Sequence, residues 1–349
     1  MRILSILLMT LILFSCSKKG DLPPVQITED DANASLLFNA TGDANNEYGK
    51  MGPYTVSTNA VRGDCLQLVG VATKVLGTIR ILDPGIRCSS SFPYGFDSQF
   101  STEVFYPANI KSLDKLPVIN FVGGILSDQG HYTTLASLWA SYGFIVVNSG
   151  NFINTVPTMH IFGAKEVSNL NNDPSSDLYN KVDLSKMIIA GHSAGGGATL
   201  LTSSLSQTAL NLIDPHIRII ASLPIQPGPL ALGSTAKAPT FLLTGLLDLV
   251  VPAWGWPQLQ GNFIRSVPAW TATATTATHL SPTEPLGKNE YAGISVAWML
   301  YNGKNDKDAA NYFIGKDFRL SSDEQFVQGG STPRLVPLRV QRNSLAERL

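Results

Sequence analysis

Short, strongly apolar runs alternate along this chain with longer stretches whose apolar residues recur every three or four positions. The runs lie at 103–106, 118–122, 144–147, 187–190, 217–220 and 241–243 and are rich in Val, Ile and Phe. Their length and β-branched content predict buried strands. A helical spacing predicts helices over 131–141, where Leu135, Leu138 and Trp139 share one side, over 194–206, and over 290–301, where Ile294, Ala297, Trp298 and Tyr301 do the same. Strands separated by helices predict βαβ units and a mostly parallel sheet with helices on both faces, an α/β architecture. From Trp270 the chain alternates at period two, which predicts one more strand near the sheet edge.

The first residues break this pattern. Met1 and Arg2 lead into an apolar run over 3–14 that is too short to span a bilayer and has the order of an export signal. It closes in Leu13-Phe14-Ser15-Cys16, which resembles the bacterial lipobox. That resemblance implies a lipid on Cys16 and attachment to a bacterial cell envelope, at the outer membrane, without a transmembrane helix. Residues 17–35 read as a flexible linker, 36–318 as one large domain, and 319–349, with Gly329, Gly330, Pro333 and Pro337, as an irregular C-terminal extension.

Composition narrows the function. With 44% hydrophobic and 15% charged residues the chain can bury a large core, and a net charge of −1 gives no electrostatic case for nucleic acid. Once Cys16 is assigned to lipid, Cys65 and Cys88 remain as an even pair in an oxidising compartment, and a disulfide between them is expected. No His or further Cys near them suggests zinc, so neither metal nor cofactor is expected, and the protein is expected to be a monomer.

Gly191-His192-Ser193-Ala194-Gly195 matches G-x-S-x-G. The pattern alone is short enough to recur by chance, but here a buried strand leads in and a small-residue helix start leads out. A tight strand-to-helix turn of this kind exposes the serine hydroxyl, and glycines at its flanks let neighbouring backbone approach. A serine needs a His to take its proton and an acid to orient that His, in the chain order Ser, Asp, His. Of the five His, only His216 and His279 follow Ser193, and His216 precedes any acid-bearing strand end. Asp248 stands just after the run at 241–243, and His279 follows it by 31 residues. His192 neighbours the serine and is expected to support the turn; His131, at a helix start, is expected to cap it or touch substrate.

With these residues in view, the chain resembles the polyester-hydrolase and cutinase branch of bacterial α/β hydrolases, close to the dienelactone-hydrolase-like and platelet-activating-factor-acetylhydrolase-like groups. The resemblance covers roughly residues 52–315, through Phe105-Tyr106-Pro107, Ser141-Tyr142-Gly143-Phe144, the Ser193 elbow, Ala238-Pro239-Thr240, Leu247-Asp248 and Ala277-Thr278-His279. It implies a Ser193–Asp248–His279 triad and an oxyanion hole from the N–H groups of Ala194 and Ile125. It also implies carboxylic-ester hydrolysis of short or medium acyl, or polyester-like, substrates. The family's Met after the nucleophile is here Ala194, and its Trp after the following strand is Gly228, so the aromatic clamp is missing. Trp254, Trp256 and Trp270 are candidates to rebuild an apolar acyl pocket. The segment 64–91 is an insertion without an assigned role. The competing class is a non-catalytic surface lipoprotein that uses the same scaffold for binding; within enzymes, an amidase, peptidase or acyltransferase would use the same three residues.

Overall fold

The central strands are apolar at every position because both of their faces are covered. The computed structural model describes residues 38–63, 68–79, 81–82, 85–89, 100–151, 153–328 and 338–349. From the N-terminus, α1 (Gly42–Tyr48) is followed by β1 (Val56–Thr58), β2 (Arg62–Gly63), α2 (Leu68–Thr78), β3 (Cys88–Ser89), β4 (Ser101–Pro107) and β5 (Leu116–Val122). Next come α3 (Thr133–Ser141), β6 (Ile145–Gly150), α4 (Thr158–Asn172), β7 (Val182–His192), α5 (Ala194–Ser203), β8 (Ile219–Ile225) and β9 (Thr240–Gly245). The chain ends with α6 (Trp256–Phe263), β10 (Ala269–Ala274), α7 (Ala292–Lys304) and β11 (Gln341–Arg342).

Nine strands form one sheet in the order β1-β4-β6-β5-β7-β8-β9-β10-β11. The inner run from β6 to β10 is parallel, and antiparallel pairs close both edges. Alternate residues enter opposite layers. Ile119, Phe121, Val146, Ile188 and Ala190 face an aromatic-rich cluster with Trp139 from α3 and Trp298 from α7. Val118, Ile145, Val147, Met187 and Ile189 face an aliphatic cluster with Ala164 and Val167 from α4. This is the α/β-hydrolase arrangement.

Element ends differ from the periodic reading where side chains redirect the backbone. The run at 217–220 becomes a strand only from Ile219, and pairing carries it to Ile225. The helix expected over 194–206 stops at Ser203, and Ser206 Oγ accepts from Ala209 N–H to begin a separate helical turn. The described residues of the C-terminal extension pack on the main domain. Within them β11 pairs with β10, Phe326 is buried, and Asp323 Oδ2 accepts from Ala44 N–H, tying this segment to α1.

The insertion is docked on the sheet edge. Arg62 of β2 makes a bidentate pair with Glu103 of β4 at 2.5 and 2.8 Å, both side chains buried, and its Nε donates to Thr133 Oγ1 at 2.9 Å. Strand β2 pairs with β3, whose Cys88 is disulfide-bonded. Cys65, the partner expected from the sequence, and Cys16 with its apolar run lie outside the described residues. Among the described residues no helix is long and apolar enough to cross a membrane.

Candidate active site

Strand β7 runs into α5 through one residue, Ser193, held at φ 55° and ψ −117°. A non-glycine residue rarely adopts this conformation, and its neighbours hold it there. Ser193 N–H donates to Ile225 O, and Ser193 O accepts from the N–H groups of Gly197 and Gly228. The flanking glycines are required by contact: a Cβ on Gly191 would lie 2.3 Å from Gly195 O, and one on Gly195 would lie 2.0 Å from Val122 O.

Asp248 lies in the turn after β9, buried, with Oδ1 accepting from the N–H groups of Val250 and Val251 at 2.9 and 2.8 Å. His279 lies in the loop after β10. The two loops are joined by backbone bonds from Leu246 N–H to Ala274 O and from Leu247 N–H to Ala277 O. The acid-to-base distance is therefore set by main chain. His279 Nδ1–H donates to Asp248 Oδ2 at 2.8 Å, which leaves Nε2 as the acceptor for the Ser193 hydroxyl at 3.0 Å. Ser193, His279 and Asp248, read from the elbow motif, the strand ends and chain order, thus form one hydrogen-bonded line.

Ala194 is the first residue of α5, and its N–H has no partner among the described residues; the same is true of Ile125 N–H. Ile125 is half exposed at the cleft, in a loop fixed by Gly124. Gly124 O accepts from Ser127 Oγ and Asn154 Nδ2, and Gly124 N–H donates to Tyr132 Oη at 2.9 Å.

That last bond starts a second line beside the first. A phenol that accepts from Gly124 has its single proton left to give, and it goes to His192 Nδ1 at 2.8 Å. His192 Nε2–H then donates to Gln226 Oε1 at 3.1 Å, and Gln226 Nε2 donates to Thr278 O at 2.8 Å. Burial holds His192 well below the usual imidazole range, which suits the neutral ring this chain requires. His192 does support the elbow, and through Tyr132 and Gln226 it also reaches the loops that carry Ile125 and His279.

The remaining histidines are placed as follows. His131 accepts from Asp128 N–H in a capping box and donates through Nε2 to Thr73 Oγ1 at 3.0 Å, so it both caps and borders the cleft. His160 is buried between Ala190 O and Thr202 Oγ1. His216 is exposed beside Asp214. Among the described residues no group of three His, Cys, Asp or Glu could hold a metal ion.

A cleft of about 270 Å³ opens on Ser193 and His279. Its apolar lining comes from Ala72, Leu76 and Leu82 of the insertion and from Ile125, Leu126, Val250 and Leu280. None of the three Trp candidates lines it. Trp270 is fully buried, donating to Phe313 O, because its alternating strand turns it into the aromatic core; Trp254, in the loop after β9, and Trp256, the first residue of α6, lie outside the cleft.

The PET hydrolase-like family matches residues 87–325 of this chain. Cutinase 2 of Thermobifida cellulosilytica is 29% identical over 203 residues, which is 54% of this chain and 71% of that protein. Cutinase cut1 of Thermobifida fusca is 29% identical over 203 residues as well, here 58% of the relative's length. Cutinase est1 of Thermobifida alba is 28% identical over 196 residues. The chain belongs to the PET hydrolase-like family, which makes it a serine carboxylic-ester hydrolase of the α/β-hydrolase fold.

Proposed function

We propose that Ser193, His279 and Asp248 are the catalytic residues, and that the substrate is an ester of a short or medium acyl chain. The observation that carries this reading is the continuous bond line from Ser193 Oγ through His279 to Asp248 at a strained elbow facing the cleft. His279 Nε2 takes the hydroxyl proton as Ser193 Oγ attacks the ester carbonyl. The developing oxyanion is held by the free N–H groups of Ala194 and Ile125; one such donor is worth about 3 kcal/mol. The C–O bond to the alcohol breaks as His279 returns the proton to the leaving oxygen, which leaves an acyl-Ser193 ester. Water, deprotonated by His279, then attacks the acyl carbon and releases the acid and Ser193. Asp248, its Oδ1 held by two N–H donors, fixes the His279 tautomer through Oδ2 and offsets the transient charge of the imidazolium.

Ser193→Ala is expected to lower kcat on p-nitrophenyl butyrate by at least about a thousandfold and to abolish labelling by a fluorophosphonate. Full activity in that variant would refute the assignment. The lipobox-like residues ending in Cys16 support attachment to a membrane through lipid, which Cys16→Ser and radiolabelled palmitate would test. The even count of the other two cysteines supports Cys65 as the partner of Cys88, which thiol counting under denaturing, non-reducing conditions would test.

A further inference from the structure

Helix α2 lies entirely before residue 87, where the match to the family begins, yet it lines the same cleft as Ser193 and His279. We infer that α2 is a specificity wall particular to this chain, and that it fits the cleft to an unbranched aliphatic chain of limited length rather than to an aromatic ring. This inference rests on the proposed chemistry at Ser193.

Three sets of observations carry it. The wall is aliphatic: Ala72, Leu76 and Leu82 join Ile125, Val250 and Leu280 in the lining, while the rings that touch the cleft are tied to polar partners. Tyr132, His131 and His192 are buried, with Tyr132 packed against Phe121 and His192 against the ring of His279, so burial and these ring contacts leave little aromatic face for a substrate to stack on. At Gly228 there is likewise no side chain to clamp a ring, and a Cβ there would lie 3.4 Å from Ser193 O.

The wall is also fixed in place. Thr73 on α2 is bonded to His131 of the cleft floor, and Asp128 Oδ1 accepts from Ser89 N–H of β3 at 2.6 Å. The Arg62–Glu103 pair holds β2 to the sheet on the other side of α2 in sequence. A wall anchored on both sides does not yield to a long chain. The volume left beside Ser193, about 270 Å³, lies just below the range of about 300–1,000 Å³ for small-molecule sites.

The test is the ratio of kcat/KM for p-nitrophenyl octanoate to that for the acetate, with a parallel series of alkyl butyrates in which the alcohol is varied. In the wild type, kcat/KM in one series should rise by up to about fourfold per added methylene and then fall once the wall is reached. Ala72→Trp narrows the cleft at a helix position already open to solvent and should lower the long-to-short ratio by about tenfold or more. Leu76→Ala widens the cleft and should move the optimum to longer chains, so a folding defect in one variant leaves the other to decide. Unchanged ratios in both series for both variants would overturn the inference. A wild type that neither hydrolyses the acetate nor labels at Ser193 would instead overturn the chemistry on which it rests.

Discussion

At the scale of single residues, two hydrogen-bonded lines meet at the elbow, and the second orients the first. The line Gly124, Tyr132, His192, Gln226, Thr278 joins the loop of Ile125, the proposed second oxyanion donor, to the residue before His279. Gln226→Leu removes an acceptor from His192 and a donor from Thr278 O, each buried loss being worth about 1–3 kcal/mol. Because neither group touches substrate, the effect should fall on kcat, by roughly 10- to 100-fold, with KM within about threefold. Gln226→Glu, which keeps the acceptor for His192, should retain more activity than the leucine variant. A KM effect with unchanged kcat would contradict this positioning role. The three residues of the first line were legible in the sequence because chain order and strand ends restrict each one. Tyr132 and Gln226 were not, since they reach His192 across 60 and 34 residues and belong to no motif.

At the scale of elements, the sheet was legible from apolar runs because inner parallel strands are buried on both faces, as Val118 with Ile119 and Met187 with Ile188 demonstrate. Helix α2 was hidden for a physical reason. Val69, Val71 and Val75 are β-branched residues that suit a strand as well as a helix, so spacing alone does not separate the two readings. Its anchoring makes a testable claim about stability. Arg62→Met would leave Glu103 buried and unpaired and should destabilise the protein by about 3–5 kcal/mol in urea unfolding. Replacing both, Arg62→Met with Glu103→Leu, should recover most of that loss, because the desolvation of two charges is removed together. A double variant as unstable as the single would mean that packing at Thr133, not the charge pair, governs the site.

At the scale of the whole molecule, buried titratable groups on different elements set one dependence of stability on pH. Burial pushes His131 and His160 down to about 4 from an ordinary 6.5, and holds His192 well below it. Each binds its proton more readily in the unfolded chain, so the stability it contributes above pH 6.5 is lost as pH falls toward 4. Asp128 acts in the opposite sense. Burial pushes its carboxyl up to about 6 from 3.8, the folded state takes the proton first, and its contribution grows as pH falls through that window. A shift of two units is worth about 3 kcal/mol, so Asp128 offsets one histidine, and Glu290 and Asp323, whose carboxyls burial also pushes up, act in the same sense as Asp128. With three buried histidines on the losing side, the wild type should lose stability between pH 6.5 and pH 4, measured by urea unfolding. Asp128→Asn keeps an oxygen for the Ser89 and Gly130 N–H groups but removes the offsetting ionisation. Its stability relative to the wild type should be greatest above pH 6 and should shrink steadily toward pH 4. Parallel curves for the two proteins would mean that Asp128 titrates alike in the folded and unfolded chains and that the acid sensitivity belongs to other groups.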